Sequence, residues 1–404
     1  MRPAWSRFAA GIAVLLSVVP AGADDSAASV ALGGIQFEHE PRISMEKERL
    51  TISQSRVTVE YEFLNESDQD ITTEVAFPIP TYEASHAYPT YAFDDFKLWI
   101  DGKEVKYLVE ARALLGKRDV SAILKRRNID IPTLGHSLGA KDDCSPDIDR
   151  LPRKVGEQLI KAGLFDGSYD AGGCGGLPLW KAQKRYYWKQ TFPAHKILRV
   201  RHEYTPGFGF EPLDPDLFDE QSRTRLIADL KRSGDPTGLD ESIDLLRSAC
   251  VSPAVQRDIF SRANASRRAY PDGGAYVDAS WVDFILTTAN NWKTPIKEFE
   301  LSIERGPIRD HGWYSEDWNH ASVCWDGPVK RMGPDHYEAS ARDFVPQKEL
   351  RVLFLTVPEP QANPLSARAP AHKARQNWLR LCLIALGAAC VLLVTVWFAR
   401  RRTT

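Results

Sequence analysis

A chain of 404 residues with 43% hydrophobic and 26% charged residues has ordinary globular composition, which excludes wholesale disorder. Its 52 Lys and Arg against 54 Asp and Glu give a formal net charge of -2, which argues against a dedicated nucleic-acid binder. At roughly 150 residues per domain, the length favours two or three domains.

The first predicted element is a signal peptide, residues 1–23. Arg2 and Arg7 flank the start of an apolar run, Phe8 to Val19, which Pro20 ends. Ala21-Gly22-Ala23 then sets small residues where a signal peptidase cuts, so cleavage is expected after Ala23. The run is too short for an uncleaved anchor, since about 20 apolar residues cross a bilayer.

Residues 24–205 are expected to form an N-terminal β-sandwich-like domain with a helical insertion. From Ile35 to Pro80 the pattern has period two, with Val57, Val59, Tyr61 and Phe63 on one face of a strand and polar residues on the other. Asn65 to Asp70 supplies a turn, and Ile71, Thr73, Val75 and Phe77 resume the alternation. Phe96 to Tyr107 reads as a hairpin across Asp101-Gly102, a pair that tolerates the positive φ of such turns. Glu110 to about Asn128 has helical spacing and is basic, and Leu151 to Leu164 is a second amphipathic stretch. The Asp142–Asp147 and Gly172–Gly176 stretches are loops by composition, the former without the ligand order of an EF-hand. Strands return at 186–192 and 198–204.

A helical segment, residues 206–275, follows. Its candidates are Asp219 to Lys231, Asp240 to Cys250, and Pro253 to Ala269, the last opened by Ser252-Pro253, an N-cap and a first-turn proline. A second β region, residues 276–357, carries the alternating Phe299, Leu301, Ile303 and Leu350, Val352, Phe354. A Pro/Ala-rich stalk, residues 358–377, leads to a transmembrane helix, residues 378–399, and a basic tail, residues 400–404. Trp378 and Trp397 bracket the apolar run, about 28 Å apart at helical rise, close to the hydrocarbon thickness. Arg400, Arg401 and Arg402 stop transfer, and the signal peptide sets the N-terminus outside. The fold class expected is mainly β with helical insertions: an antiparallel β-sandwich-like ectodomain of two β regions plus one C-terminal transmembrane helix.

The end segments contain eight Lys and Arg and no Asp or Glu, leaving 44 basic against 54 acidic residues in 24–370, a net charge of -10. The exported body is acidic, which disfavours nucleic acid as a partner. Cys382 and Cys390 fall in the expected span. Cys144, Cys174, Cys250 and Cys324 fall in the exported part, a disulfide-permissive setting that allows three pairings. Cys144–Cys174 with Cys250–Cys324 is preferred, because each bond staples neighbouring segments.

No H-E-x-x-H, G-x-S-x-G, Walker A or dinucleotide motif occurs, so no catalytic, cofactor-binding or metal residues are assigned and no cofactor is expected. His195 and His202 fall on a strand and its approach, where structural histidines predominate. Eight tryptophans lie in the exported part, and Trp313, Trp318 and Trp325 are close enough in sequence to build an aromatic binding face.

The motif order resembles the bacterial family known as domain of unknown function 4424. The resemblance is carried by Ile43-Ser44-Met45-Glu46, Val59-Glu60-Tyr61-Glu62-Phe63-Leu64-Asn65, Val75-Ala76-Phe77-Pro78-Ile79-Pro80, Ile100-Asp101-Gly102-Lys103, Tyr187 to Ala194 and Phe284 to Trp292. It implies an exported bacterial protein and no reaction. The N-terminal half is similar, more loosely, to the vault-protein/inter-alpha-trypsin type of β-sandwich, an interaction scaffold. The metal-dependent adhesion motif that often accompanies that type fails here at Val282, in Asp278-Ala279-Ser280-Trp281-Val282.

The expected function is a single-pass bacterial membrane protein with a non-catalytic β-sandwich ectodomain in the periplasm or outside the cell. Its partners would be the lipid bilayer, through the C-terminal helix, and an envelope protein or polysaccharide. The alternative is an envelope hydrolase using Asp and Glu in a cleft between the β regions, with carboxyls about 5 to 9.5 Å apart.

Overall fold

The computed structural model describes residues 26–31, 34–83, 93–129, 131, 152–165, 178–233, 238–269, 275–306, 317–325 and 327–358. The signal peptide, Cys144, Cys174, Trp313, nearly all of the stalk and the expected transmembrane helix lie outside them. Among the described residues no helix is long and apolar enough to cross a membrane. One compact unit, residues 1–264 with 275–358, holds every strand. The other, residues 265–274 and 359–404, is described only at the end of a helix.

The protein is mainly β, with a few helices and several sheets. Its strands begin with β1 (Ser26–Ala31), β2 (Gly34–Phe37), β3 (Ile43–Ile52), β4 (Val57–Asn65), β5 (Ile71–Pro78), β6 (Tyr82–Glu83), β7 (Asp94–Ile100) and β8 (Lys103–Glu104). Next come β9 (Leu108–Leu115), β10 (Arg118–Asp119), α1 (Ser121–Lys125), α2 (Arg153–Lys161), β11 (Lys181–Phe192), β12 (Ile197–Thr205) and β13 (Phe208–Leu213). Three helices follow: α3 (Glu220–Ser233), α4 (Leu239–Ser248) and α5 (Pro253–Ala269). The last strands are β14 (Val277–Phe284), β15 (Ile296–Glu304), β16 (His320–Val323), β17 (Lys330–Gly333), β18 (His336–Phe344) and β19 (Leu350–Thr356).

They assemble into a seven-stranded sheet, β10-β9-β11-β5-β1-β2 with β6 beside β11, an eight-stranded sheet, β17-β18-β15-β3-β4-β12-β7-β8, and a four-stranded sheet, β13-β14-β19-β16. Among the described residues every strand-to-strand pairing is antiparallel except β15 with β3. That parallel contact joins the two expected β regions, whose boundary is expected at residue 276. Leu301 aligns with Leu50 and Ile303 with Ile52, so strands from both β regions complete one sheet. Their apolar alternation is in phase, and burying both sets on one face is what selects this partner.

Period-two patterning explains β4: Val57, Val59, Tyr61 and Phe63 are buried, while Thr58, Glu60 and Glu62 face outward. The turn Asp101-Gly102 has positive φ at both residues, 47° and 77°, the two-residue geometry that matches strand twist. Asn65 is fully buried at the turn that carries the chain from β4 to β5 in the other sheet, its carboxamide donating to the carbonyls of Gln69 and Phe192 and accepting from Ser67.

The helix expected from Glu110 is corrected. Residues 108–115 form β9 and 118–119 form β10, with only Ser121–Lys125 helical in this stretch. Ala, Leu and Arg are good helix formers. Tertiary pairing overrides that preference, because Ala111 and Ala113 bury on one face while the strand pairs with β11 in continuous register. The segment expected to be helical from 206 also opens with a strand, β13.

One core is shared by all three sheets. Phe63 of β4 meets Phe192 of β11 at 5.8 Å, and Phe77 of β5 meets Phe284 of β14 at 6.2 Å. A second core lies on the opposite face of the four-stranded sheet, where Val277, Ala279, Leu353 and Leu355 pack against Leu245, Leu246 and Ile259 of α4 and α5. Ser252 Oγ accepts from the Val255 amide at the start of α5, and Asp219 caps α3 through the Ser222 amide. Gly209 of β13 is required beneath Trp281, since a Cβ there would lie 2.0 Å from the indole.

Cys250 and Cys324 are bonded, Cα to Cα 4.9 Å, tying the α4–α5 turn to the segment after β16. The bond closes a 74-residue separation. Replacing both cysteines by serine is expected to cost about 2–4 kcal/mol. Urea melts under non-reducing conditions check this: the midpoint of the double variant should fall below that of the wild type by the corresponding amount, and an unchanged midpoint would show that the bond contributes nothing.

Candidate functional site

The outer face of the eight-stranded sheet carries two rows of charge whose order is set by strand register. One row runs Glu300 (β15), Arg49 (β3), Glu60 (β4), Arg201 (β12) and Trp99 (β7), each directly opposite the next. Arg49 Nε lies 2.9 Å from Glu300, Arg49 and Arg201 both stand 3.9 Å from Glu60, and the Arg201 guanidinium lies 4.7 Å from the Trp99 ring centre. The second row runs Glu298, Lys47, Glu62 and Arg199, with Lys47 3.5 Å from Glu298 and Arg199 3.1 Å from Glu62. The Arg199 amide donates to Asp101 Oδ1 at the neighbouring turn.

Period two puts these side chains outward, because their chain neighbours Leu50, Tyr61, Val200 and Leu98 fill the core. Hydrogen bonds from Lys47, then Arg49, hold the Glu300 carboxyl below its ordinary pKa. Such exposed pairs contribute little each, about 0.2–1 kcal/mol. Their collective effect is to pin long side chains in place around a depression of about 380 Å³, lined by the β3, β4 and β12 members of both rows and by Trp99. Guanidinium and carboxylate forks beside an indole can hydrogen-bond and stack on a polar ligand.

The sequence expectations fall elsewhere. Trp318 is buried in the core against Tyr337 and Phe354, and Trp325 packs on Phe299 and Phe344, so neither belongs to an open aromatic face. His195 is exposed, 2.8 Å from Asp68, and His202 is fully buried. Cys144, Cys174, Trp378, Trp397, Arg400, Arg401 and Arg402 lie outside the described residues. Among the described residues, no group of three or more His, Cys, Asp or Glu is placed to hold a metal ion. Burial pushes the Asp278 carboxyl up to about 6, whereas neighbouring arginines hold Glu40 and Asp258 below the usual carboxylate range. The charged rows were missed because each strand shows only its own outward residues; the alternation of sign exists between strands, not along any one.

The family model of a domain of unknown function, DUF4424, matches residues 23–353. No curated protein matches the chain. Among solved structures, a chain from Legionella pneumophila that carries a provisional description as a nutrient-binding protein is 14% identical, with a TM-score of 0.36 over 83% of this chain and 70% of that one. At that score the likeness carries no argument about this chain. The family match spans most of the 404 residues, and the chain belongs to the DUF4424 family.

Proposed function

We propose that the chain is an exported protein, tethered to a bacterial membrane by residues 378–399, whose sandwich-like β-rich body binds an envelope protein or polysaccharide and performs no chemistry of its own. The observation that carries this reading is the depression where Arg201 stacks on Trp99 between the two charged rows. Trp and Arg are the residue types most often dominant at binding surfaces. The sequence pattern of residues 1–23 and the apolar run at the C-terminus support export and anchoring.

The test is crosslinking in intact cells with a membrane-impermeant reagent, using the full chain and its Trp99→Ala/Arg201→Ala variant. Loss of the stack is expected to reduce captured partner about tenfold, equivalent to roughly 1.4 kcal/mol, while the melting temperature stays nearly constant. Capture that is unchanged in the variant would remove this site. A chain that the impermeant reagent never reaches would overturn the topology.

A further inference from the structure

The depression on the eight-stranded sheet is lined by four cations, Lys47, Arg49, Arg199 and Arg201, by two carboxylates, Glu60 and Glu62, and by the Trp99 indole. None of these charges stands alone. Lys47 lies 2.6 Å and Arg49 2.9 Å from Glu300, and Arg199 lies 3.1 Å from Glu62. Arg201 lies 2.7 Å from Glu203, and Glu60 stands 3.9 Å from both Arg49 and Arg201. The surface is therefore densely polar yet locally neutralised, with no free charge to steer an ion toward it. From β3 to β7 it covers three interstrand spacings, about 14 Å. Gly102 leaves one side open, since a Cβ added there would meet nothing within 4 Å.

Arginine and lysine side chains only donate hydrogen bonds, and ionised carboxylates only accept them. Set alternately across the strands, they match a ligand whose neighbouring groups each do both. A hydroxyl is such a group, and a sugar ring carries several in fixed succession. The C–H faces of that ring are apolar and pack on an aromatic surface, which Trp99 supplies. A volume of about 380 Å³ falls within the range of small-ligand pockets, roughly 300–1,000 Å³. A protein partner fits less well, because lysine and glutamate are depleted at the centre of protein interfaces. Resting on the binding function proposed above, we infer that the depression holds a segment of an uncharged polysaccharide, a few sugar units long. A charged polymer would have to displace carboxylates or cations already in place, whereas neutral hydroxyls bond to the pairs as they stand.

Titration calorimetry of the full chain in detergent tests this, with cellohexaose, chitohexaose and maltohexaose as neutral probes and hexagalacturonate as an acidic one. At least one neutral probe is expected to bind with a Kd below about 1 mM. That Kd should change less than about twofold between roughly 50 and 300 mM sodium chloride. Hexagalacturonate should bind at least about tenfold more weakly. Trp99→Ala should raise the Kd about tenfold at an unchanged melting temperature, and Trp99→Phe, which keeps an aromatic face, should retain most of the binding. Absence of binding by all three neutral probes, tighter binding of hexagalacturonate, or an unaffected Trp99→Ala variant would overturn the inference. If crosslinking still captures a protein that depends on Trp99 and Arg201, the binding site stands and only its sugar ligand falls. Absence of both capture and sugar binding removes the site itself.

Discussion

Lowering the pH from 6.5 to 3 is expected to remove roughly 4–5 kcal/mol of folding stability through one side chain, His202. Its imidazole is fully buried and ringed by Phe77 at 4.7 Å, Phe96 at 5.3 Å, Trp188 at 5.4 Å and Tyr61 at 5.5 Å. Removal from water disfavours the charged form and lowers its pKa from 6.5 to about 3. The unfolded chain therefore takes up a proton that the folded chain refuses. Stability from this group is complete above pH 6.5 and falls as the pH drops, until the folded form also protonates near 3. Urea melts at pH 7.5 and 4.5 should differ by about 2–3 kcal/mol from this source. His202→Phe fills the same aromatic niche and should remove that part of the slope. A variant with the wild-type slope would show that the acid sensitivity lies elsewhere.

Phe77→Ala is expected to cost about 3–5 kcal/mol. Phe77 belongs to β5 of the seven-stranded sheet, and it is fully buried. Its ring meets Phe96 and Tyr204 of the eight-stranded sheet, both at 5.7 Å, and Phe284 of the four-stranded sheet at 6.2 Å. A cavity there would open where all three sheets converge, so little can relax into it. Phe77→Leu, which keeps more of the volume, should cost about 1.5 kcal/mol or somewhat more. The denaturation midpoint decides between these values, and a loss below about 1 kcal/mol for the alanine variant would disprove the shared core. Because Phe77 and His202 touch, the two substitutions should be non-additive in a double-mutant cycle.

Much of the local structure was legible from patterning. The four inward residues of β4, the Asp101-Gly102 turn and the Ser252-Pro253 start of α5 each follow from chemistry acting within about ten residues. Glu110 to Asp119 was misread because its composition favours a helix, while the pairing that makes it a strand comes from β11, some 70 residues later. The candidate site was illegible for a related reason. Glu60, Arg49 and Arg201 each appear in sequence as one polar position on an alternating strand.

The sequence by itself determined the acidic charge of the central body, the apolar ends, the β-rich character and the face of each regular strand that turns inward. These depend on composition and on a period of two, which any stretch of chain displays alone. Only the tertiary structure decided that β15 lies beside β3, that opposite charges alternate across four strands, and that the polar tip of the β3–β4 hairpin is buried against Gly306. Register between distant strands is chosen by the summed burial of both partners, and no single segment carries that sum.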